Sequence, residues 1–260
     1  MDSLAALRLQ VEWGADEALG EEPRDHFQAA PVLVPGRAPL VAPPVPSAAP
    51  APRPAPAAAR SQAAASAAGT LADLHAALDA FDGCALRATA TTTVRPDGNP
   101  AARLVLVAEA PGADDDRAGT AFAGPSGQAL DRVLRSIGLD RSAILLSHLV
   151  PWRPPGGRAP TEAEIQVCLP FLLRLLGLVR PDRLVLLGAA PARALCGSND
   201  SIRRLRGRWL QAALPGGEPI AALPMLPWDQ WLRSPAGRRD CWADLLALRL
   251  SLDATVQDTP

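Results

Sequence analysis

The chain of 260 residues contains no lysine and no tyrosine, so arginine supplies all 26 basic side chains. Aromatic residues are scarce at 4% of the sequence. The 27 acidic residues balance the arginines to a net charge of −1, which argues against a protein that coats nucleic acid through its overall charge. Local contact with phosphate remains compatible with this balance, because the planar guanidinium suits phosphate and stacking contacts.

Long hydrophobic runs and closely spaced cysteines are also missing. We find neither an N-terminal apolar leader nor an apolar stretch of about 18 residues, so we expect a cytoplasmic protein without a membrane-bound form. The four cysteines are Cys84, Cys168, Cys196 and Cys241, and no two of them form a CxxC pair. The spacing therefore indicates neither a zinc site nor a disulfide framework.

Composition divides the chain into four segments. Residues 1–25 have the apolar periodicity of a short amphipathic helix, which is either a loose tail or an element that binds a protein partner. Residues 26–69 are rich in alanine and proline, with ten prolines between positions 31 and 60, and we expect a disordered linker. Residues 70–253 have the pattern of one folded domain, and residues 254–260 are predicted to be a tail.

Within residues 70–253, short apolar runs alternate with helical patterns. We predict strands at 103–108, 143–146, 183–188 and 220–226, and a closing helix at 236–252 with Trp242, Leu245 and Leu246 facing inward. Thr161 and Glu164 form a capping box at the start of another helix. Strands separated by helices predict an α/β fold, a three-layer αβα sandwich around a mainly parallel four-stranded sheet.

The loops at the carboxyl ends of these strands carry the unusual residues. In open α/β sheets, ligands bind at this edge. The loop after the first strand contains Glu109, three acids at 114–116, Phe122 and a Gly-Pro-Ser-Gly turn at 124–127. This loop has two possible interpretations. Its carboxylates and its aromatic ring either surround a flat ligand, or the loop is a solvated acidic segment with one buried ring. A run of arginines at 203–208 adds a local cationic patch.

Six motifs follow one another in register over residues 70–250. In this order they resemble the bacterial uracil-DNA glycosylases of the thermostable, iron–sulfur (type 4) family. They include Glu109-Ala110-Pro111-Gly112, Phe122-Ala123-Gly124, Trp152-Arg153-Pro154-Pro155, Glu164-Ile165, Cys168-Leu169-Pro170-Phe171-Leu172 and Leu205-Arg206-Gly207.

The resemblance implies hydrolysis of the N-glycosidic bond of deoxyuridine after the base has rotated out of the DNA. It implies that Glu109 and Asp115 hold or polarise the attacking water and that Phe122 stacks on the base. Base-binding positions implied with them are Ala110, Pro111, Gly112 and His148, and DNA-contacting positions are Ser126, Gly127, Arg158, Arg206, Trp228 and Arg233.

Two positions depart from the family pattern. His148 stands where the family has an asparagine that reads uracil, and it either reads the base in another geometry or only fills space. Pro227 stands where a family histidine stabilises the departing base, and proline cannot donate a hydrogen bond. The indoles of Trp228 and Trp231 nearby are either base-stacking groups or packing replacements.

The family's cluster ligands are also incomplete. Only Cys84 and Cys168 occupy two of its four cysteine positions, while Phe81 and Trp152 occupy the others. We therefore expect no cofactor, with Phe81 and Trp152 packed in place of the cluster. The expected protein is a monomer that acts on DNA with weakened or altered activity. The alternatives are a non-catalytic DNA-binding or regulatory protein and a binder of small nucleotides.

Overall fold

The computed structural model describes residues 56–257, and a six-stranded sheet lies at the centre of this region. Its spatial order is β1-β3-β2-β4-β6-β5. The strands are β1 (Asp97–Gly98), β2 (Leu104–Ala108), β3 (Ile144–His148), β4 (Arg183–Leu187), β5 (Leu210–Ala212) and β6 (Ile220–Met225). The four inner strands are parallel, and β1 and β5 pair antiparallel at the two edges.

Helices connect and cover the strands. They are α1 (Ala57–Ala67), α2 (Leu71–Ala80), α3 (Ala113–Ala118), α4 (Gly124–Ser136), α5 (Glu162–Val179), α6 (Ala189–Cys196), α7 (Ile202–Leu205), α8 (Trp228–Arg233) and α9 (Pro235–Gln257). Two 3-10 turns lie at Ala85–Ala88 and Pro155–Gly157. The Thr161–Glu164 capping box opens α5 as predicted.

Alternate residues of the inner strands supply two separate cores. Val105, Val107 and Leu184 pack with α1, α2, α5 and α6 on one face of the sheet. Leu106 and Val185, the residues that directly follow Val105 and Leu184, pack with α4 and α9 on the other face. Because successive side chains of a strand point to opposite faces, strands that are apolar at every position require helices on both sides. The α/β fold with helices on both faces of a mainly parallel sheet is confirmed.

The sheet has two more strands than predicted. The four predicted strands are the inner, parallel ones, but β1 and β5 extend the sheet at its edges. Their lengths of two and three residues are too short to give an alternating pattern. A run of four acidic and basic residues within 113–118, expected to be loop, instead forms the short helix α3.

Three further predictions are corrected. The linker was predicted to reach residue 69, but residues 57–67 form α1, whose carboxyl end accepts hydrogen bonds from Arg174 on α5 through the Ala68 carbonyl. Trp242 and Leu246 are 46% and 43% exposed, because the inward stripe of α9 runs through Cys241, Leu245 and Leu248. The C-terminal tail was predicted from residue 254, but α9 continues to Gln257.

The N-terminal helix predicted at 1–25 and the linker residues 26–55 lie outside the described residues. Over residues 56–257, no helix combines the length and the apolarity that crossing a membrane requires.

Candidate functional site

A cleft of about 480 Å³ opens at the carboxyl ends of the parallel strands. Such a volume falls within the range of sites for small molecules. Its walls come from the segment after β2, the end of β3, the loop before α5 and the start of α8. Residues predicted for the site that line it are Glu109, Ala110, Pro111, Gly112, Asp115, Phe122, Ser126, His148, Arg158, Pro227 and Trp228.

Glu109 lies at the first turn after β2 and faces the start of α6. Its Oε1 accepts a hydrogen bond from the backbone N–H of Ala190 at 3.2 Å. Gly188, at φ +111°, makes this approach possible, since a side chain at that position would overlap the Glu109 carboxylate. The backbone therefore fixes one oxygen of Glu109 at the cleft wall.

Asp115 is a buried residue of α3 and is held from two sides. Its Oδ2 accepts from the N–H of Gly112 at 2.9 Å, and its Oδ1 accepts from the N–H of Ala123 at 2.7 Å. The next acid, Asp116, likewise accepts from Thr91 and Thr92. The acidic run is therefore largely a scaffold for the loop, rather than a solvated surface.

His148, the last residue of β3, is buried beside Asp115. Its Nε2 lies 3.4 Å from Asp115 Oδ2, whereas its Nδ1 has no hydrogen-bond partner among the described residues. Burial outweighs the attraction of the Asp115 carboxylate and lowers the pKa of His148 to about 4. The imidazole is thus neutral near pH 7, and the proximity of Asp115 favours the tautomer with the proton on Nε2.

Phe122 stacks on His148 with ring centroids 5.4 Å apart and an interplanar angle of 12°. The backbone of Phe122 has φ +53°, a left-handed conformation uncommon for a bulky residue. Its carbonyl accepts from Arg141 Nη2 at 2.8 Å, and Arg141 is anchored in turn by ion pairs with Asp131 and Asp97. These contacts fix an aromatic face beside the cleft.

Trp228 spans the opposite side of the cleft. Its indole Nε1 donates to Ser126 Oγ at 2.6 Å, which joins the start of α8 to the start of α4. Trp231 meets it edge-on, with ring centroids 4.9 Å apart, but is buried and donates to the Leu226 carbonyl. Trp231 is therefore a packing residue, and Trp228 is the indole that faces the cleft.

The predicted DNA-contacting arginines have different surroundings. Arg158 lines the cleft while bonded to both oxygens of Glu164 at 2.8 and 2.6 Å. Arg206 lies away from the cleft, bound to buried Asp244 and to Asp240 of α9, and Arg233 pairs with Asp229 on the exposed side of α8. Gly127 is buried under Phe122 and does not line the cleft.

Arg153 is a cleft residue to which sequence reasoning gave no role. It lines the cleft and has no hydrogen-bond or ion-pair partner among residues 56–257. The Trp152-Arg153-Pro154-Pro155 motif could have indicated this residue, but the sequence interpretation used only its tryptophan, as a former cluster position. It is the cation of the cleft that is not already neutralised by a neighbouring carboxylate.

The four positions corresponding to cluster ligands lie in the core that α1, α2, α5 and α6 form on one face of the sheet. Cys84 and Cys168 are buried with their Sγ atoms 3.9 Å apart. Phe81 and Trp152 are buried in the same core, at 6% and 1% exposure, and Phe81 contacts Phe171 edge-on. Neither aromatic side chain can ligate iron, so these residues do not fit a cluster that needs four protein ligands.

Comparison with known proteins agrees with this architecture. A sequence model of the uracil DNA glycosylase superfamily matches residues 95–246. A type-4 uracil-DNA glycosylase of Pyrobaculum aerophilum is 31% identical over 179 residues, which cover 67% of this chain and 91% of that protein. Enzymes of the same name from Archaeoglobus fulgidus and Thermotoga maritima are each 37% identical, over 48% and 49% of this chain and 65% and 68% of their own lengths.

The close packing of Gly127 against Phe122 gives a stability prediction with an internal control. A methyl group at Gly127 would overlap the Phe122 carbonyl oxygen, whereas Gly177 of α5 has open space around it. We expect Gly127→Ala to lower the free energy of unfolding by roughly 1–3 kcal/mol. Gly177→Ala should raise it by about 0.5–1 kcal/mol, since alanine loses less entropy in a helix. Denaturant unfolding measures both, and equal effects of the two substitutions would contradict the packing described.

The depressed pKa of His148 predicts a pH dependence of stability. Between pH 6.5 and about 4, the imidazole of the unfolded chain binds a proton that the folded chain excludes. The contribution of His148 to the free energy of unfolding should therefore be fully present above pH 6.5. It should decline as the pH falls, by at most about 1.4 kcal/mol per pH unit. Urea unfolding at several pH values should give a shallower decline for His148→Gln than for the parent. Burial also lowers the pKa of His75, but this histidine is less buried, so the matched variant His75→Gln should change the slope less than His148→Gln does. Identical slopes in all three proteins would refute the assignment.

Proposed function

Because the chain belongs to the uracil-DNA glycosylase superfamily, we propose that it hydrolyses the N-glycosidic bond of uracil or a related damaged base in DNA. The observation that carries this proposal is the meeting of Glu109, Phe122 and His148 in one cleft, although they come from separate segments of the chain. An extrahelical base needs such a pocket, with a stacking face and polar groups at its edge.

Glu109 is the residue proposed to position the attacking water. Ala190 engages one oxygen of its carboxylate, so the other is available to accept a hydrogen bond from water. A fixed carboxylate favours the positive charge that develops on the sugar as the glycosidic bond breaks. Asp115, whose oxygens are held by two backbone N–H groups, acts less directly by shaping the loop and orienting His148.

Phe122 and His148 are proposed to bind the base. His148 stacks on one face of the Phe122 ring, so we propose that the opposite face stacks on the base, while Arg141 holds the Phe122 backbone in place. Asp115 favours a proton on Nε2 of His148, which leaves Nδ1 as an acceptor. Binding of an N–H edge by Nδ1 requires a small rotation of the imidazole, because this atom is buried in the unliganded protein.

Pro227 is the reason to propose weakened rather than full activity. It lines the cleft but offers neither a side-chain nor a backbone donor to a departing base. Loss of one preorganised donor at a developing anion costs about 10²–10³ in rate. Arg153, free of a local partner, supplies the cleft with a positive charge, and we propose that it contacts a phosphate beside the flipped nucleotide.

The second candidate function is DNA binding without cleavage. The observation that favours it is the Trp228–Ser126 hydrogen bond across the cleft, next to the position that lacks a donor. An indole at this place can stack on an unpaired base at a gain of about 1–3 kcal/mol, whether or not the glycosidic bond is broken. The two functions can be distinguished by experiment, because a glycosylase releases the free base and leaves an abasic site, whereas a DNA-binding protein leaves the DNA unchanged.

We propose further that the chain works without an iron–sulfur cluster. The apolar packing of Phe81 and Trp152 at two of the four ligand positions supports this proposal. Phe81 contacts Phe171 of α5 edge-on, and the Trp152 indole donates to the Thr93 hydroxyl at 3.2 Å. No step of the proposed hydrolysis depends on a metal.

The glycosylase proposal predicts strand cleavage at uracil after alkali treatment. Oligonucleotides with a single uracil should be cut, whereas matched oligonucleotides with thymine should not. Glu109→Gln should reduce the rate by about 10²-fold or more, while its amide oxygen can still accept from Ala190 and preserve the fold. Glu162→Gln, which changes a carboxylate outside the cleft, should retain the parent rate. Binding of both oligonucleotides without any cleavage would replace this proposal with the second candidate.

Restoring the family residues provides a sharper test of the cleft assignment. The double substitution Pro227→His with His148→Asn should raise the rate of uracil release by at least about 10²-fold, because a donor returns to the departing base. An unchanged rate in a correctly folded double variant would show that these positions do not act on the base.

The cluster proposal has a spectroscopic test. When incubated anaerobically with iron and sulfide, the parent should develop no charge-transfer absorbance in the visible range. The double substitution Phe81→Cys with Trp152→Cys completes four thiols and should take up about four iron atoms per chain. Phe171→Cys with Trp152→Cys also provides four thiols, but one is misplaced, so uptake should fail. Stoichiometric iron and sulfide in the parent would overturn the proposal.

A further inference from the structure

Two cysteines in the core that α1, α2, α5 and α6 form on one face of the sheet are a close pair. Cys84 precedes the 3-10 turn at Ala85–Ala88, and Cys168 lies in the middle of α5, 84 residues later. Their Sγ atoms are 3.9 Å apart, and the Cys168 thiol is placed to donate to the Cys84 sulfur. The sulfur atoms are therefore in direct contact although they belong to separate elements.

The surroundings of the pair are mainly apolar, and the charged group that acts on both thiols is the Glu164 carboxylate of α5. Phe81, Trp152 and Phe171 belong to the same buried cluster as both cysteines. Hydrogen bonding from Cys168 lowers the pKa of Cys84 to about 7, and the same contact, together with burial, raises the pKa of Cys168. Cys196 and Cys241, in contrast, have no thiol partner among the described residues. The pair is thus chemically distinct from the other two cysteines.

Disulfide formation requires only a local movement. A disulfide bond is about 2.0 Å long, so the two sulfurs must approach by roughly 2 Å. Cys84 lies outside the regular helices, in extended backbone at φ −113° and ψ 127°, and its segment is not held by α-helical hydrogen bonds. Rotation about the side-chain torsions and a small shift of this segment can therefore close the distance without unwinding α5.

We propose that Cys84 and Cys168 are a peroxide-reactive dithiol that closes to an intramolecular disulfide. Cys84 is 5% exposed and Cys168 1%, so a small hydroperoxide reaches Cys84 more readily than a bulky disulfide does. This inference does not depend on the proposed glycosylase activity, but it rests on the proposed absence of an iron–sulfur cluster, which leaves both thiols free to react. It assigns a covalent modification to two thiols that the cleft chemistry does not use.

The reaction balances in two steps. The Cys84 thiolate attacks hydrogen peroxide, an S–O bond forms, the O–O bond breaks, and the leaving hydroxide takes up a proton to become water. Cys168 sulfur then attacks the sulfur of this sulfenic acid, an S–S bond forms, the S–O bond breaks, and a second water leaves. The two thiols lose two electrons and two protons in total, and one peroxide is reduced to two waters.

Mass spectrometry of the full chain tests the proposal directly. Trypsin cuts after arginine and places the four cysteines in the separate peptides 61–87, 159–174, 194–203 and 240–249. After reduction, desalting and exposure to hydrogen peroxide, we expect peptide 61–87 to be linked to 159–174, with the number of alkylatable thiols falling from four to two. Glutathione disulfide at the same concentration should produce the link more slowly.

Variants establish which thiol reacts first. Cys168→Ser, which keeps a hydrogen-bond donor beside Cys84, should leave a sulfenic acid on Cys84 that dimedone traps once the chain is unfolded in its presence, and Cys84→Ala should leave Cys168 unmodified. Cys196→Ala and Cys241→Ala, the matched controls, should retain the link. Four alkylatable thiols in the peroxide-treated parent, or higher oxidation of Cys84 without a link to Cys168, would overturn the proposal whatever the behaviour of the variants.

Discussion

Ala108, the last residue of β2, is paired with His148 on one side and with Leu187 on the other, and Leu187 is paired with Met225. This register makes four parallel strands end at the same level. The loops that follow these strands therefore lie close together, and the cleft is the space between the loops. A shift of one residue in the pairing of β3 with β2 would turn His148 to the opposite side of the sheet, because strand side chains alternate. The site therefore depends on backbone hydrogen bonds more than on any single side chain.

The same carboxylates serve both the backbone and the cleft. Glu109 accepts from the start of α6, and Asp115 accepts from Gly112 and Ala123. An acid fixed in this way does not need to be reoriented when a ligand arrives, which is the general advantage of preorganised sites. The cost is that a substitution at either position changes architecture and chemistry together. An amide of the same shape, which retains the acceptor oxygen, is the substitution that separates the two contributions.

Sequence reasoning succeeded where the signal was local and repeated. The inner strands have unbroken apolar runs, and the Thr161–Glu164 capping box lies within four residues, so both could be predicted. The edge strands could not, because two or three residues carry no pattern. Helix α1 was missed because its alanines were grouped with the preceding prolines, although alanine favours helix most strongly. Arg206 was expected at the DNA surface, but its partner Asp244 lies 38 residues further along the chain and only folding brings them together.

The hydrogen bond from the Trp228 indole to the Ser126 hydroxyl connects the first turn of α8 to the first turn of α4 across the cleft. A ligand that separates Trp228 from Ser126 must break this hydrogen bond. The bond also joins two residues that are 102 positions apart in the sequence. Its loss on ligand entry would therefore free the start of α8 from the start of α4.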